Sequence, residues 1–127
     1  MATLDVLTYG FALSTDQGSF GYSTNSLLRV ANNNILVDTG PSSRRPFLVK
    51  SLKAKGLEPA DIDVVVLTHM HWDHCQNTDL FTNARVLVNP TEIDYARSPN
   101  KWDLAVAAGM ADMMRNMKVD AVSEGDK

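Results

Sequence analysis

The sequence predicts an α/β fold in which a mixed β-sheet is flanked by helices, and three observations support that prediction. Two short apolar stretches at 23–30 and 35–37 are separated by a polar turn, which is typical of an antiparallel hairpin. A continuously apolar, β-branched stretch at 62–67 indicates a strand that is buried on both faces, as in parallel sheets. Further on, strand patterns alternate with helical patterns.

Three strands are expected in the first forty residues, and the last two pair as the hairpin: 3–9, 23–30 and 35–37. The polar, glycine-bearing stretch 10–21 is expected to be a loop. The hairpin turn at 31–34 contains three asparagines, a residue type that tolerates positive φ. Asp38-Thr39-Gly40-Pro41 ends the third strand and leaves a carboxylate at a strand terminus.

Helices and strands alternate beyond this point. In the segment 46–55, apolar side chains fall roughly on one helical face, and Gly56 stands where a left-handed C-terminal cap is expected. Asn89-Pro90-Thr91 is a helix start signal. The remaining expected elements are the buried strand at 62–67, a short helix at 73–80, a strand at 85–88 and a helix at 92–96.

The segment 101–118 places Trp102, Val106 and four methionines at spacings of three and four, which predicts an amphipathic helix. The methionine stripe admits two interpretations: a pliable wall over a substrate pocket, or a face packed in the core. Core packing is favoured because methionine commonly fills irregular gaps between side chains. The tail at 120–127 is polar and acidic.

The composition and net charge of the chain limit the classes of function that are expected. A chain of 127 residues with 44% hydrophobic and 21% charged residues is typical of one soluble globular domain. The net charge of −3 offers no basic face for nucleic acid and no polybasic tract for a membrane, so a small-molecule partner is expected. Residues 1–5 lack the features of a secretory signal, which favours a cytosolic protein. The single cysteine, Cys75, excludes an intrachain disulfide.

The most informative stretch is Thr68-His69-Met70-His71-Trp72-Asp73-His74, which holds every histidine of the chain. It follows the buried strand, and the C-terminal ends of such strands are where α/β proteins place their sites. His69 and His71 alternate in an extended segment and can share one face, whereas Asp73 and His74 lie beyond a turn. The cluster therefore predicts two metal ions, each bound by the two residues of one pair. Further ligands are expected from elsewhere, because metal sites use at least three protein ligands.

Two other side chains are candidates for the same site. Asp38 ends a neighbouring strand and is expected to accept a hydrogen bond from an imidazole or a loop amide, with direct metal ligation as the less favoured alternative. Cys75 adjoins the cluster as a soft ligand or, more in keeping with its residue type, as a small buried thiol. Met70 and Trp72 alternate with the ligands and are expected to pack, and Thr68 is expected to hydrogen-bond the loop.

Ile35-Leu36-Val37-Asp38-Thr39-Gly40, followed about thirty residues later by Leu67 to His74, resembles the metallo-β-lactamase superfamily through its His-x-His-x-Asp-His motif. Residues 79–86 and 92–95 resemble its N-acyl-homoserine lactonase branch. The resemblance implies the N-terminal half of a four-layer αββα sandwich over residues 1–127, with the tail at 120–127 leading into a missing second half.

The resemblance also implies the ligand roles. His69 and His71 would bind one zinc ion, Asp73 and His74 a second, and Asp73 would orient a hydroxide that bridges them. Zinc is the expected metal, with iron, manganese or cobalt as alternatives. A lactone, ester or thioester substrate is implied. The histidine ligands that the family supplies further along have no counterpart here, since no histidine follows His74.

Two hypotheses of different classes follow. In the first, the chain is the N-terminal half of a dinuclear metallo-hydrolase, of low activity alone, and is completed by a C-terminal half or another chain. In the second, it is a non-catalytic half-fold that forms a homodimer to cover an apolar sheet face and keeps any metal only as a structural clip.

Overall fold

The computed structural model describes residues 1–106 and 109–126 and contains, within them, a six-stranded mixed sheet, a separate two-stranded hairpin and four short helices. The strands are β1 Thr3–Thr8, β2 Phe11–Thr15, β3 Gly18–Tyr22, β4 Asn25–Val30, β5 Asn33–Val37, β6 Val64–Val66, β7 Arg85–Val88 and β8 Lys118–Ala121. The helices are α1 Arg45–Ala54, α2 Trp72–Cys75, α3 Pro90–Arg97 and α4 Met110–Met113. Among the described residues, no helix has the length and apolar character needed to cross a bilayer.

The large sheet has the order β1-β4-β5-β6-β7-β8. The pairs β1–β4 and β4–β5 are antiparallel, whereas β5, β6, β7 and β8 run parallel to one another. Parallel neighbours need long crossover connections, and the helices lie within those connections. The predicted mixed α/β fold is therefore confirmed, with β6 between β5 and β7 in its parallel part.

The core lies on one face of this sheet. Alternate residues of four neighbouring strands point to that face and are almost completely buried: Leu27, Leu36, Val65, Val86 and Val88. Leu48 and Leu52 of α1 belong to the same buried cluster. Each such side chain contributes roughly 1.5 to 3 kcal/mol through its burial, so this face anchors the strands that carry the site.

Several predicted elements are confirmed. The hairpin of β4 and β5 is present, and α1 is followed by Gly56 with a φ of 75°. Asn89 begins α3 as its N-cap, because its side chain accepts a hydrogen bond from the Thr91 amide at 2.9 Å. In the β4–β5 turn, however, Ala31 rather than an asparagine takes the positive φ, at 54°.

The predicted loop at 10–21 is wrong, because this stretch forms the hairpin of β2 and β3. Phe11 pairs with Tyr22 and Leu13 with Phe20, and the rings of Phe11 and Tyr22 stack with centroids 5.7 Å apart. The strands of this hairpin are largely exposed, so they lack the alternation between buried and exposed residues by which a strand is recognised.

The predicted long helix at 101–118 is also wrong. Only α4 and a following 3₁₀ turn at Met114–Asn116 are helical, and the chain then enters β8. Gly109 precedes α4 with a φ of 72°, which interrupts a right-handed helix, and Trp102 is 80% exposed. Met110 and Met114 are buried in the core, as the favoured interpretation of the methionine stripe requires. Ala107 and Ala108 lie outside the described residues.

Candidate metal centre

The histidine-bearing loop leaves the C-terminal end of β6, beside the ends of its parallel neighbours. The Asp38 amide donates to the Val66 carbonyl at 2.9 Å, and the Leu67 amide donates to the Leu87 carbonyl at 2.9 Å. The loop therefore begins at the edge where open α/β sheets place their ligand sites. Asp38 lies at this same edge, immediately after β5.

Asp38 ties the beginning of the loop to its end. Its side chain is buried, and its Oδ1 accepts a hydrogen bond from the Thr68 amide at 2.9 Å. Its Oδ2 bonds to the Thr68 hydroxyl at 2.8 Å and to Nδ1 of His74 at 2.7 Å. Asp38 thus has the contacts expected of an acceptor for an imidazole and a loop amide. Its backbone φ of 57° lies in the left-handed region, where aspartate is among the more tolerant residues.

Backbone hydrogen bonds hold α2 against the loop after β5. The His74 carbonyl accepts from the amides of Thr39 at 2.7 Å and Gly40 at 3.1 Å. The Asp73 carbonyl accepts from the Ser23 hydroxyl at 2.7 Å. A helix of only four residues has little stability of its own, so these contacts from neighbouring elements fix the direction of the Asp73 and His74 side chains.

The Asn77 side chain stabilises the turn at 39–41, which follows Asp38. Its amide nitrogen donates to the carbonyls of Thr39, Gly40 and Pro41, at 2.9, 3.3 and 2.8 Å, and its oxygen accepts from Nε of Arg45 at 3.0 Å. The residue is fully buried. A single side chain thereby satisfies three consecutive backbone acceptors in a turn that has no strand partner.

The structure brings the four sequence-predicted ligands together. The ring of His69 is close to the other two imidazoles, with centroid distances of 4.7 Å to His71 and 3.9 Å to His74. Because Nδ1 of His74 faces Asp38, its Nε2 is turned toward Asp73, whose Oδ2 lies 3.4 Å away. All four residues are partly exposed, so a small molecule from solvent can reach them.

Two of the imidazoles have shifted pKa values in opposite directions. Partial burial, together with the nearby His74 and His71, lowers the pKa of His69. Partial burial also disfavours the charged form of His74, but its hydrogen bond to Asp38 and the charges of Asp38 and Asp73 outweigh that effect and raise its pKa. The neutral form of the imidazole is therefore favoured in His69, whereas the carboxylates of Asp38 and Asp73 favour the charged form of His74.

Residues from a later part of the chain complete the surroundings, and sequence reasoning did not single them out. Glu92 accepts a hydrogen bond at 3.1 Å from the amide of Met70, the residue between His69 and His71 in the sequence. Asp103 lies 3.3 Å from Nε2 of His71 and accepts from the Tyr95 hydroxyl at 3.0 Å. No local pattern marks these side chains, because only the tertiary fold brings them to the loop.

Cys75 belongs to the hydrophobic core. Its thiol is fully buried in the core, and burial, followed by the charges of Asp38 and Asp73, raises its pKa to about 12. Metal ligation requires the thiolate, which this environment disfavours. The interpretation of Cys75 as a small buried thiol agrees with this position.

The donor atoms fit a divalent metal by type and by pairing. Imidazole nitrogens and a carboxylate are ligands that zinc prefers, and Nε2 of His74 and the Asp73 carboxylate already face each other. Across residues 1–106 and 109–126, no three His, Cys, Asp or Glu side chains stand in a ready-made metal-binding arrangement. A tightly held ion would therefore require side-chain adjustments and additional ligands.

A cavity of about 530 Å³ opens beside Asp73. It is lined by residues of the β2–β3 hairpin, by Trp72 and Asp73, and by the segment 104–105. The lining is largely apolar and includes Ala12, Leu13, Phe20, Trp72, Leu104 and Ala105. The cavity thus places an apolar space next to a predicted metal ligand.

Comparison with known proteins gives a consistent family assignment. The family model described as the metallo-beta-lactamase superfamily matches residues 18–125. A probable metallo-hydrolase of Methanocaldococcus jannaschii is 40% identical over 61 residues, which are 48% of this chain and 30% of the relative. The N-acyl homoserine lactonase AttM of Agrobacterium fabrum is 40% identical over 52 residues, which are 41% of this chain and 20% of the relative.

A solved structure gives a similar fold. AidC, described as a dizinc quorum-quenching lactonase in complex with the product N-hexanoyl-L-homoserine, superposes with a TM-score of 0.66 at 20% identity. The match covers 87% of this chain and 46% of AidC. The chain spans less than a third of the two curated relatives and under half of this structure.

Proposed function

The chain belongs to the metallo-beta-lactamase superfamily, and from that premise we propose that it forms the metal-binding half of a metal-dependent hydrolase acting on a lactone, ester or thioester carbonyl. The observation that carries the proposal is the cluster of His69, His71, Asp73 and His74 at the end of β6, tied to β5 through Asp38. When bound, two divalent ions would polarise a substrate carbonyl and lower the pKa of water.

The chain's own residues have separate tasks in this proposal. His69 and His71 would hold one ion, and Asp73 and His74 the second, with zinc as the expected metal and iron, manganese or cobalt as alternatives. Asp38 fixes the ring of His74 so that Nε2 is the free nitrogen. Asp73 also borders the cavity, so it would hold a metal ion next to the space proposed for the substrate.

The substrate class rests on two supports. A relative that shares 40% of 52 residues is named as an N-acyl homoserine lactonase. The cavity beside Asp73 has an apolar lining that suits an acyl chain, while the polar edge of the cluster suits a carbonyl group. We therefore propose an acylated lactone, or an ester or thioester of similar shape, as the substrate.

Zinc titration of the purified chain tests the metal-binding part. We expect zinc uptake that is strongly reduced in His69→Ala and His74→Ala, because each variant removes a ligand from one pair. Asp94→Asn is the matched control, since Asp94 is exposed on α3 and forms an ion pair with Arg97 of the same helix. Failure of the wild-type chain to bind zinc would contradict the proposal.

Ligand binding in the cavity is a separate measurement. In a Trp102→Phe background, Trp72 is the only tryptophan, and its fluorescence should respond to N-decanoyl-L-homoserine. Leu104→Ser should weaken that response, because Leu104 lines the cavity. Leu4→Ser is the control, since Leu4 is exposed on β1 and does not line the cavity. Equal weakening by both variants would argue against this cavity. Turnover assays with added zinc then test hydrolysis directly.

The alternative is a non-catalytic half-fold that dimerises. It is favoured by the second face of the large sheet, where Leu4 is 65% and Val6 37% exposed and Ile35, Val64 and Leu87 are only partly buried. Sedimentation combined with metal analysis separates the two proposals. A monomer with two metals per chain supports the hydrolase half, whereas a metal-free dimer supports the alternative.

A further inference from the structure

We propose that Asp103, held in place by Tyr95, is a positioning residue that fixes the ring of His71 for metal binding. The inference rests on the proposed function in one respect, namely that His71 is a metal ligand. It adds two residues, from α3 and from the segment after it, that neither the motif nor the family match assigns.

The contact itself is specific. Oδ2 of Asp103 lies 3.3 Å from Nε2 of His71, and the two side chains are 39% and 21% exposed for His71 and Asp103, respectively. A carboxylate only accepts hydrogen bonds, so this contact places a proton on Nε2 of His71. Nδ1 is then the nitrogen of His71 that has a free lone pair for a metal.

Asp103 is itself fixed by three contacts. Its Oδ2 accepts from the Tyr95 hydroxyl at 3.0 Å, and its Oδ1 accepts from the Ala105 amide at 3.0 Å. Its own amide donates to the Asn100 carbonyl at 2.8 Å. The Asp103 carboxylate therefore has a defined direction, as expected of a group that orients the His71 ring.

The same segment is also joined to the loop through its backbone. The Trp72 amide donates to the Ala105 carbonyl at 2.7 Å, and His71 forms an isolated β-bridge with Val106. Backbone and side-chain contacts thus hold one strap, residues 103–106, against His71 and Trp72. Histidines that bind metals usually donate their other N–H to a carboxylate or carbonyl, which fixes the ring and makes the ligand more basic.

Two measurements on Asp103→Ala, Asp103→Asn and Tyr95→Phe test the proposal. In the metal-free protein, long-range ¹H–¹⁵N correlation spectra should show His71 protonated at Nε2, and Asp103→Ala should lose that fixed tautomer. In zinc titrations, Asp103→Ala should weaken binding by about 10- to 100-fold, the usual effect of removing such a partner. Asp103→Asn keeps one acceptor oxygen and should fall between Asp103→Ala and the wild type.

Tyr95→Phe removes the hydrogen bond that the Tyr95 hydroxyl donates to the Asp103 carboxylate, together with the longer one that the hydroxyl accepts from the Asn100 amide, so a loss of about two- to tenfold in zinc affinity is expected. Asp94→Asn, which removes a carboxylate from the same helix, should leave zinc binding and the His71 spectrum unchanged. Wild-type zinc affinity in Asp103→Ala, or His71 protonated at Nδ1 in the wild type, would overturn the proposal. If the wild type binds no zinc, the proposed function fails, and the His71 tautomer alone decides the role of Asp103.

Discussion

Nδ1 of His74 and Oδ2 of Asp38 lie 2.7 Å apart, although 36 positions separate these residues in the sequence. The contact joins the end of β5 to α2 and closes the loop that carries the other candidate ligands. Asp38 contacts the Thr68 amide at the same time, so one carboxylate serves both ends of the loop.

Asp38→Ala should lower the free energy of unfolding by about 2 to 4 kcal/mol. The substitution removes the acceptor for the Thr68 amide and the His74 ring, and it places alanine at a φ of 57°. Asp38→Asn should cost less, because asparagine tolerates positive φ and keeps an acceptor oxygen. Urea unfolding measures both. Equal losses in the two variants would show that neither the backbone conformation nor the acceptor oxygen matters.

The metal-free protein should show separate titrations for its histidines. His74 should titrate above the ordinary histidine pKa of about 6.5 and His69 below it, because Asp38 favours the charged form of His74 while burial and two neighbouring imidazoles disfavour that of His69. The pH dependence of the chemical shifts of the histidine Cε1 protons measures this order, and the spectra of His69→Ala and His74→Ala show which signal belongs to which histidine. The reverse order would contradict the geometry.

These shifts affect stability in opposite senses. Between pH 6.5 and its raised folded pKa, His74 binds more proton in the folded state, so its contribution is full below pH 6.5 and is lost as pH rises through the folded pKa. His69 binds less proton when folded, so its contribution is present above pH 6.5 and is lost as pH falls through its lowered pKa. In His69→Ala, the rise of stability with pH below pH 6.5 should therefore be reduced, while the fall above pH 6.5 that comes from His74 should remain.

The Cys75 thiol should not react with a disulfide reagent such as DTNB in the native protein. The side chain is fully buried and its pKa is raised to about 12, so both access and thiolate are lacking at neutral pH. Reaction should become fast and stoichiometric in urea, and no other thiol can contribute, since the chain has one cysteine. Fast labelling under native conditions would mean that α2 opens readily.

Asn77→Asp should destabilise the protein by about 2 to 4 kcal/mol. It replaces an amide that donates to three carbonyls with an oxygen that faces them, leaving these buried acceptors unsatisfied. Asn32→Asp, in the exposed β4–β5 turn, makes the same chemical change without such contacts and should have little effect. Thermal unfolding of both variants measures the difference, and similar midpoints would contradict this role of Asn77.

The sequence-based predictions succeeded where one local pattern determines the structure. The β4–β5 hairpin, the capping of α3 by Asn89 and the strand before His69 each depend on neighbouring residues. The predicted burial of that strand on both faces is wrong, because only Val65 of Val64–Val66 is fully buried. The cluster of candidate ligands is also local, because the motif spans six residues. These features could therefore be inferred from residue type and spacing.

The errors arose where tertiary context decides. Phe11 and Phe20 belong to a hairpin whose two faces are both largely exposed, so alternation gave no signal for β2 and β3. The methionine spacing in 101–118 imitated a long helix, yet Gly109 and the entry into β8 divide the segment. Asp103 reaches His71 from 32 positions away, and no spacing rule predicts that contact.

The three residues of β6 bear on how the protein folds. Val64–Val66 pairs in parallel with β5 on one side and β7 on the other, so its contacts join segments that are far apart in the sequence. Such non-local pairing slows folding, because the entropy of closing long loops is lost before the strand contacts form and stabilise the chain. The candidate ligands follow this strand directly. We therefore expect the amide hydrogens of β6 to exchange only through global unfolding, and the ligand geometry to form late in refolding, together with the sheet.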